Sequence, residues 1–284
     1  MIKIKLSSII FLIAIAIVGC TKSKADKPFI YVPAPLVDSG WAFAATPSWS
    51  EEFDYTGKPD STKWGYDIGG SGWGNNEKEY YTNSLENASV ANGVLTISAL
   101  KKSVQGMNYT SARLVTANKF DFLYGRIEVK AKLPSGTGMW PAIWVLPTDF
   151  AYGDWPNSGE FDIMEEVGYD PNVIHVSAHT QKYNFKQNNQ KTKTVTIDSA
   201  ELKFHTYRMD WTPYAIRGYV DDQLILTYVN EGIGFTSWPF DKRFHLLLNI
   251  AVGGDWGGIN GIDDNAFPAT MQVDYVRYYS MLPK

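Results

Sequence analysis

The sequence predicts an all-β fold in which two antiparallel sheets pack as a sandwich. Three observations predict it. Alternating apolar and polar residues recur at the period of two that belongs to strands, as in Tyr124 to Ala131 and Val173 to Thr180. Turn dipeptides punctuate the chain, Asn92-Gly93 and Asp221-Asp222. Beyond residue 46, about 240 residues run without an internal repeat or a second domain, a length that one sandwich fills.

The first 19 residues are read as a signal peptide. Lys3 and Lys5 precede an apolar run, Ile9 to Val18, too short to span a bilayer as a stable helix. Gly19-Cys20 follows. A small residue before a cysteine at this place is the pattern of a bacterial lipoprotein cleavage site, which makes Cys20 the lipidated first residue. An ordinary secretory peptide with an incidental cysteine is the alternative. Cys20 is the one cysteine in the chain, so an internal disulfide does not explain it. The expectation is an exported, membrane-anchored monomer, periplasmic or at the cell surface, that meets a membrane only through Cys20. Residues 20–46, with Pro28, Pro33 and Pro35, read as an extended tether that is ordered where Phe29, Tyr31 and Trp41 touch the domain. Residues 47–284 form the domain.

Composition narrows the function. Lys and Arg total 26 against 30 Asp and Glu, a net charge of −4, which argues against a nucleic-acid partner. Ten Trp, 17 Tyr and 14 Phe exceed what a core of this size uses, and the surplus suits ring faces that stack on sugars. With four His, one Cys and no H-E-x-x-H, no zinc spacing exists. No G-x-S-x-G elbow supports a serine hydrolase.

In chain order, Trp64 to Trp73 is Gly-rich and turn-like and leads into Asn75-Asn76-Glu77. Asn87 to Leu100 reads as a hairpin about Asn92-Gly93. Phe120 to Leu133 alternates, with Arg126, Glu128 and Lys130 opposite Ile127, Val129 and Ala131. Trp140 and Trp144 share a face if the segment is a strand; Pro141 and Pro147 favour a strand end over a helix interior. Val173 to Thr180 puts His175, Ser177 and His179 on one face, and polar 181–192 reads as a loop. Ile216 to Leu226 is a hairpin on Asp221-Asp222.

The most informative stretch is Trp155-Pro156-Asn157-Ser158-Gly159-Glu160-Phe161-Asp162-Ile163-Met164-Glu165. Glu160 and Asp162 share a strand face, whereas Glu165 lies an odd number of residues on. A β-bulge at Ile163-Met164 would return it to the same face. The two glutamates then sit four strand steps apart, roughly 13 Å between Cα atoms. Side chains leaning together could approach the carboxyl separation of about 5–5.5 Å used by a retaining glycosidase. Asp162 between them would help keep one acid protonated. Acids on a strand are most often a solvated face; here they alternate with large apolar residues and follow a tryptophan.

Glu160 to Glu165 resembles the E-x-D-x-x-E signature of glycoside hydrolase family 16, in its bulged, laminarinase-like branch. The flanks extend the resemblance from Trp49 to Tyr279. Glu52-Phe53 is similar to the family's D-E-F entry. The family carries N-N-E-x-Q-x-Y-T where this chain has Asn75-Asn76-Glu77-Lys78-Glu79-Tyr80-Tyr81-Thr82. Further matches are Y-x-S-A-R-L at 109–114, G-x-W-P-A-x-W-x-L-P at 138–147, F-x-L-x-L-N-x-A-V-G-G at 244–254 and M-x-V-D-Y-V-R-V-Y at 271–279. After Trp256 the usual Pro is absent.

The resemblance implies a concanavalin A-like jelly roll with a concave substrate groove. It implies Glu160 as nucleophile, Glu165 as acid/base and Asp162 as their electrostatic helper. Asn75, Arg113, Trp140, Trp144, Trp155, His179 and Trp256 become substrate contacts, Trp256 at a distal donor subsite. Plainer roles compete: a turn for Asn75, a surface ion pair for Arg113, core packing for Trp144, a structural hydrogen bond for His179. Catalysis needs no cofactor on this reading. A structural Ca²⁺ is implied at Glu52, Asp274 and the Gly93 carbonyl, on the convex side. The implied substrate is a β-1,3-glucan such as laminarin, or a mixed-linkage β-1,3/1,4-glucan. A galactan or host O-glycan is the alternative within the same chemistry. A non-catalytic glycan-binding lipoprotein is the alternative outside it, and the presence of all three acids argues against that.

Overall fold

The structure, a computed structural model, describes residues 40–282. The expected signal peptide at 1–19, the expected lipidation site Cys20 and the expected tether up to residue 39 lie outside the described residues.

Among the described residues two eight-stranded antiparallel sheets face each other. The groove sheet runs, in spatial order, Lys191–Thr196, Val173–His179, Glu160–Glu165, Met139–Pro147, Phe244–Val252, Arg113–Val115 and Gly65–Asp67, with Asp121–Phe122 also on Phe244–Val252. The outer sheet runs Gln223–Val229, Ala215–Val220, His205–Trp211, Gly125–Lys132, Ala269–Tyr279, Val94–Ala99 and Ala88–Ala91, with Trp49–Glu51 also on Ala269–Tyr279. This is the expected all-β sandwich. No helix of the described residues is long and apolar enough to cross a membrane.

Alternation in the sequence becomes burial in the fold. Gly125–Lys132 alternates buried and half-buried at every position, so Ile127, Val129 and Ala131 enter the core. Phe161, Ile163 and Met164 from the groove sheet meet that core, together with Leu246, Leu248 and Ile250. Truncating a fully buried ring such as Phe161 costs about 3–5 kcal/mol. Phe244–Val252 is buried at all nine positions. One face packs between the sheets and the other lies under the groove, which is why it reads as a nearly continuous apolar run. The hairpin turns hold as expected: Asn92 and Gly93 take φ 55° and 76°, and Asp221 and Asp222 take 46° and 66°.

Three places differ from the sequence reading. Lys191–Thr196, whose first two residues are read as the end of the 181–192 loop and whose other four are given no element, is an edge strand paired to Val173–His179. Its side chains are half-buried or exposed, so no buried face marks it. Pro141 lies inside the Met139–Pro147 strand, where pairing with the Glu160–Glu165 strand begins only at Ala142, so no ladder on that side needs its missing N–H. The end of the tether also joins the fold. Ala42–Phe43 pairs with Met281–Leu282, and Trp41 stacks on Tyr214.

Candidate active site

The site begins with register. Glu160 pairs with His179, Asp162 with Ser177, and Glu165 with His175. The shift falls between Asp162 and Glu165. On the other side Trp144 faces Asp162 while Ile143 faces Met164, which leaves Ile163 as the extra residue. The bulge therefore lies at Ile163-Met164, both fully buried, and Glu160, Asp162 and Glu165 all line one cleft.

That cleft has a volume of about 380 Å³. Its floor comes from Trp140, Ala142 and Trp144 on one strand and Asn249 and Ala251 on the next. One wall carries Trp73, Asn75, Glu77 and Arg113; the other carries Phe150, Asp154, Trp155, Phe185 and Lys186. The Arg113 guanidinium lies between two indoles, 4.8 Å from Trp73 and 4.7 Å from Trp144. It is also 2.9 Å from the Asp67 carboxylate, so Arg113 has both its ion pair and its place in the groove. Trp144 is half-buried and donates Nε1–H to Asn249 Oδ1 at 2.8 Å, which assigns it to the groove face and not the core. Asn75 lines the cleft and donates to Glu77 at 3.2 Å.

The acids are tightly placed. His179 Nε2 lies 3.2 Å from Asp162 Oδ2 and 3.9 Å from Glu160 Oε1. Trp140 Nε1–H donates to Glu165 Oε1 at 3.0 Å. Burial, then the Asp162 charge, push Glu160 up to about 8, with His179 and Arg113 opposing. Burial alone pushes Asp162 up to about 8. Burial, then Asp162, push Glu165 up to about 8 as well, while His179 and the Trp140 hydrogen bond oppose. Three carboxyls this close do not ionise independently, so the cluster carries less than its full charge near neutral pH. On Glu165 one oxygen accepts from Trp140, and the other is left to carry a proton.

Aromatic rings surround His179, with Trp155 at 6.1 Å and Phe185 at 5.8 Å. Trp256 contacts Trp140 and His175 edge-on, at 5.3 Å and 4.9 Å, and is outside the cleft lining. It meets the groove through Trp140, at the Glu165 end.

The residues expected to hold Ca²⁺ are brought alongside one another. Glu51 pairs with Val276 and Leu95 with Val273, which puts Glu52, Gly93 and Asp274 near one stretch of the closing strand. Their carboxylates, however, already have cations. Arg277 donates to both oxygens of Glu52, at 2.9 Å and 2.8 Å, and Lys130 is 2.8 Å from Asp274. As paired, these residues do not present the free oxygen cage that Ca²⁺ takes.

Sequence reasoning missed Trp73, Glu77, Phe185, Lys186 and Asn249 as groove residues. Asn249 had a signal, since it shares parity with Ala251 on a strand whose opposite face is core. For Phe185 and Lys186 the signal stops at the loop: 181–192 follows His179 directly and so is placed to wall the groove, but its aperiodic sequence does not single out these two side chains.

A model of Glycosyl hydrolases family 16 matches residues 75–277. A beta-glucanase of Rhodothermus marinus is 51% identical over 239 residues, covering 81% of this chain and 84% of that protein. The X-ray structure of the laminarinase from Rhodothermus marinus superposes with a TM-score of 0.83 at 49% identity, covering 86% of this chain and 99% of that one. A keratan-sulfate endo-1,4-beta-galactosidase of Sphingobacterium multivorum is 37% identical across 82% of this chain, which spans about half (54%) of that protein.

Proposed function

Because the chain belongs to glycosyl hydrolases family 16, and is therefore a glycoside hydrolase, we propose that it is a retaining endo-glycanase acting on β-1,3-glucan or mixed-linkage β-1,3/1,4-glucan. One observation carries the mechanism: the bulge at Ile163 sets Glu160, Asp162 and Glu165 in one aromatic-walled cleft.

The Glu160 carboxylate attacks the anomeric carbon while Glu165 gives its proton to the departing glycosidic oxygen. A covalent glycosyl-enzyme forms. Glu165, now a carboxylate, takes a proton from water, which displaces Glu160 from the anomeric carbon with net retention. Asp162 opposes full ionisation of the pair. His179 reaches both Glu160 and Asp162 and steadies the ionised nucleophile. Trp140, Trp144, Trp155 and Arg113 offer faces and donors to an extended glycan, and Trp256 supports Trp140. The Rhodothermus relatives favour glucan as the substrate, and the galactosidase relative keeps galactans in view. No step runs through a metal.

We extend the proposal to location, on the leader pattern that ends at Cys20: an exported, lipid-anchored monomer. Membrane association that survives Cys20→Ser would overturn that part.

The substrate is tested with purified protein on laminarin, mixed-linkage glucan, agarose, carrageenan and mucin O-glycans. Oligosaccharides are expected from laminarin and mixed-linkage glucan. Release from a galactose polymer alone would overturn the substrate and keep the chemistry. Release from none would leave a glycan-binding protein.

A further inference from the structure

In the wall that carries Asn75, Glu77 lines the cleft and a second carboxyl group, Glu79, is buried behind it. Glu77 is 6% exposed, Glu79 is fully buried, and they are within hydrogen-bonding reach of each other. The hydrogen bonds around them run in one direction, which locates their shared proton.

The argument starts at the groove floor. An indole N–H can only donate, so Trp144 fixes Asn249 with Oδ1 toward it, at 2.8 Å. The Asn249 Nδ2 then donates to the Tyr81 oxygen at 3.0 Å. The Tyr81 hydroxyl hydrogen is left to go to Glu77 Oε2, at 3.1 Å. Asn75 Nδ2 donates to Glu77 Oε1 at 3.2 Å. Both oxygens of Glu77 therefore accept, and although burial raises Glu77 too, these donors and Arg113 make it the carboxylate of the pair. On Glu79, Oε2 accepts the Val252 N–H at 2.6 Å. Oε1 is buried and no donor reaches it. Two adjacent buried carboxyls do not both ionise, and one vacant acceptor remains for the proton.

We propose that Glu79 holds a proton on Oε1 and donates it in a hydrogen bond to Glu77, and that this bond anchors the relay through Tyr81, Asn249 and Asn75 that positions Trp144 and Asn75 in the groove. Glu79 is thus a positioning residue, one hydrogen bond from Glu77 at the cleft and two from Asn75. Burial, then the Glu77 charge, hold it well above the usual carboxylate range, consistent with this. The N-N-E-x-Q-x-Y-T pattern has Gln at position 79, and a Gln amide donates the same bond without titrating. In this chain the donor at 79 depends on pH.

The groups that bear on the pair are Glu77 and Tyr81 from the same segment, Arg113 from the adjoining strand, and the Val252 N–H from the groove floor. Of these only Arg113 is cationic, and it acts on Glu77. Loss of the Glu79 proton as pH rises sets two carboxylates against each other and removes the donor.

The test compares Glu79→Gln and Glu79→Leu. The parent-minus-Glu79→Gln infrared difference spectrum at pH 7 is expected to show a carboxylic-acid C=O band, over and above the carboxyls of the catalytic cluster that both proteins share. In a Glu160→Gln background, binding of a laminari-oligosaccharide is followed by tryptophan fluorescence from pH 6 to 9. Glu79→Leu is expected to weaken binding about tenfold, on the order of 1.4 kcal/mol. Glu79→Gln is expected to restore it and to flatten its pH dependence. The binding arm rests on the proposed reading of the groove; the infrared arm needs no substrate, so the two can fail separately. An unchanged C=O band in Glu79→Gln, or a Glu79→Gln protein that binds as poorly as Glu79→Leu, would overturn the inference.

Discussion

Glu160, Asp162 and Glu165 are each raised to about 8, so between their ordinary pKa values and about 8 the cluster holds protons in the folded chain that it releases on unfolding. A raised acid binds more protons folded than unfolded, so its contribution to stability is full below the unfolded pKa and is lost as pH rises toward 8. Glu160→Gln removes its share of that loss. The variant is expected to melt above the parent at pH 8, by about 2–4 °C for each kcal/mol relieved, and the gap should close at pH 5. A variant that melts below the parent at pH 8 would show that burial does not strain this carboxyl. The three acids were legible in the sequence because their spacing is a strand pattern with one irregularity. His179 was legible from the parity of the neighbouring strand. Arg113 and Trp144 were legible as residues but not in role, since only folding puts the guanidinium between two indoles. The loop that carries Phe185 and Lys186 was legible as a groove wall because it follows His179, but which of its side chains enter was not, since a polar loop has no periodicity to point them.

At the scale of the element, the bulge does the positioning. Ile163 and Met164 both face the core, which spends the odd residue where it displaces no acid. The register then puts Glu165 across from His175 and within reach of Trp140. Exchanging the residues at 164 and 165, as Met164→Glu with Glu165→Met, would turn the carboxyl into the core. That double variant is expected to lose about 10²–10⁴-fold in kcat, the worth of a general acid, and to melt lower. Deleting Ile163 instead restores regular alternation with all three acids facing the cleft, and measurable hydrolysis should remain. Activity in the exchange variant with none in the deletion would contradict this account of the strand. The sandwich and its hairpins were legible from alternation and turn residues. The edge strand Lys191–Thr196 was not, since it buries no face.

For the whole molecule, the outer sheet tests the expected Ca²⁺. Glu52 and Asp274 are neutralised by Arg277 and Lys130, so an added cation would have to displace two that are already present. Melting in CaCl₂ and in EDTA is expected to give the same Tm. A clear rise with CaCl₂ would mean that the ion pairs yield to the metal. The sequence could align Glu52, Gly93 and Asp274 but could not show that Arg277 and Lys130 reach the same carboxylates. The core and the cleft share the Phe244–Val252 and Met139–Pro147 strands, one face each. Mutations that loosen the packing are therefore expected to reach the groove floor.

The central claim is that Glu160 forms a bond to the sugar. The most direct measurement is to incubate the protein with a 2-deoxy-2-fluoro laminari-oligosaccharyl fluoride, digest it and sequence the labelled peptide by mass spectrometry. The account predicts one glycosyl group on Glu160 and none in Glu160→Gln. A label on another residue, or steady hydrolysis of laminarin by Glu160→Gln, would contradict it.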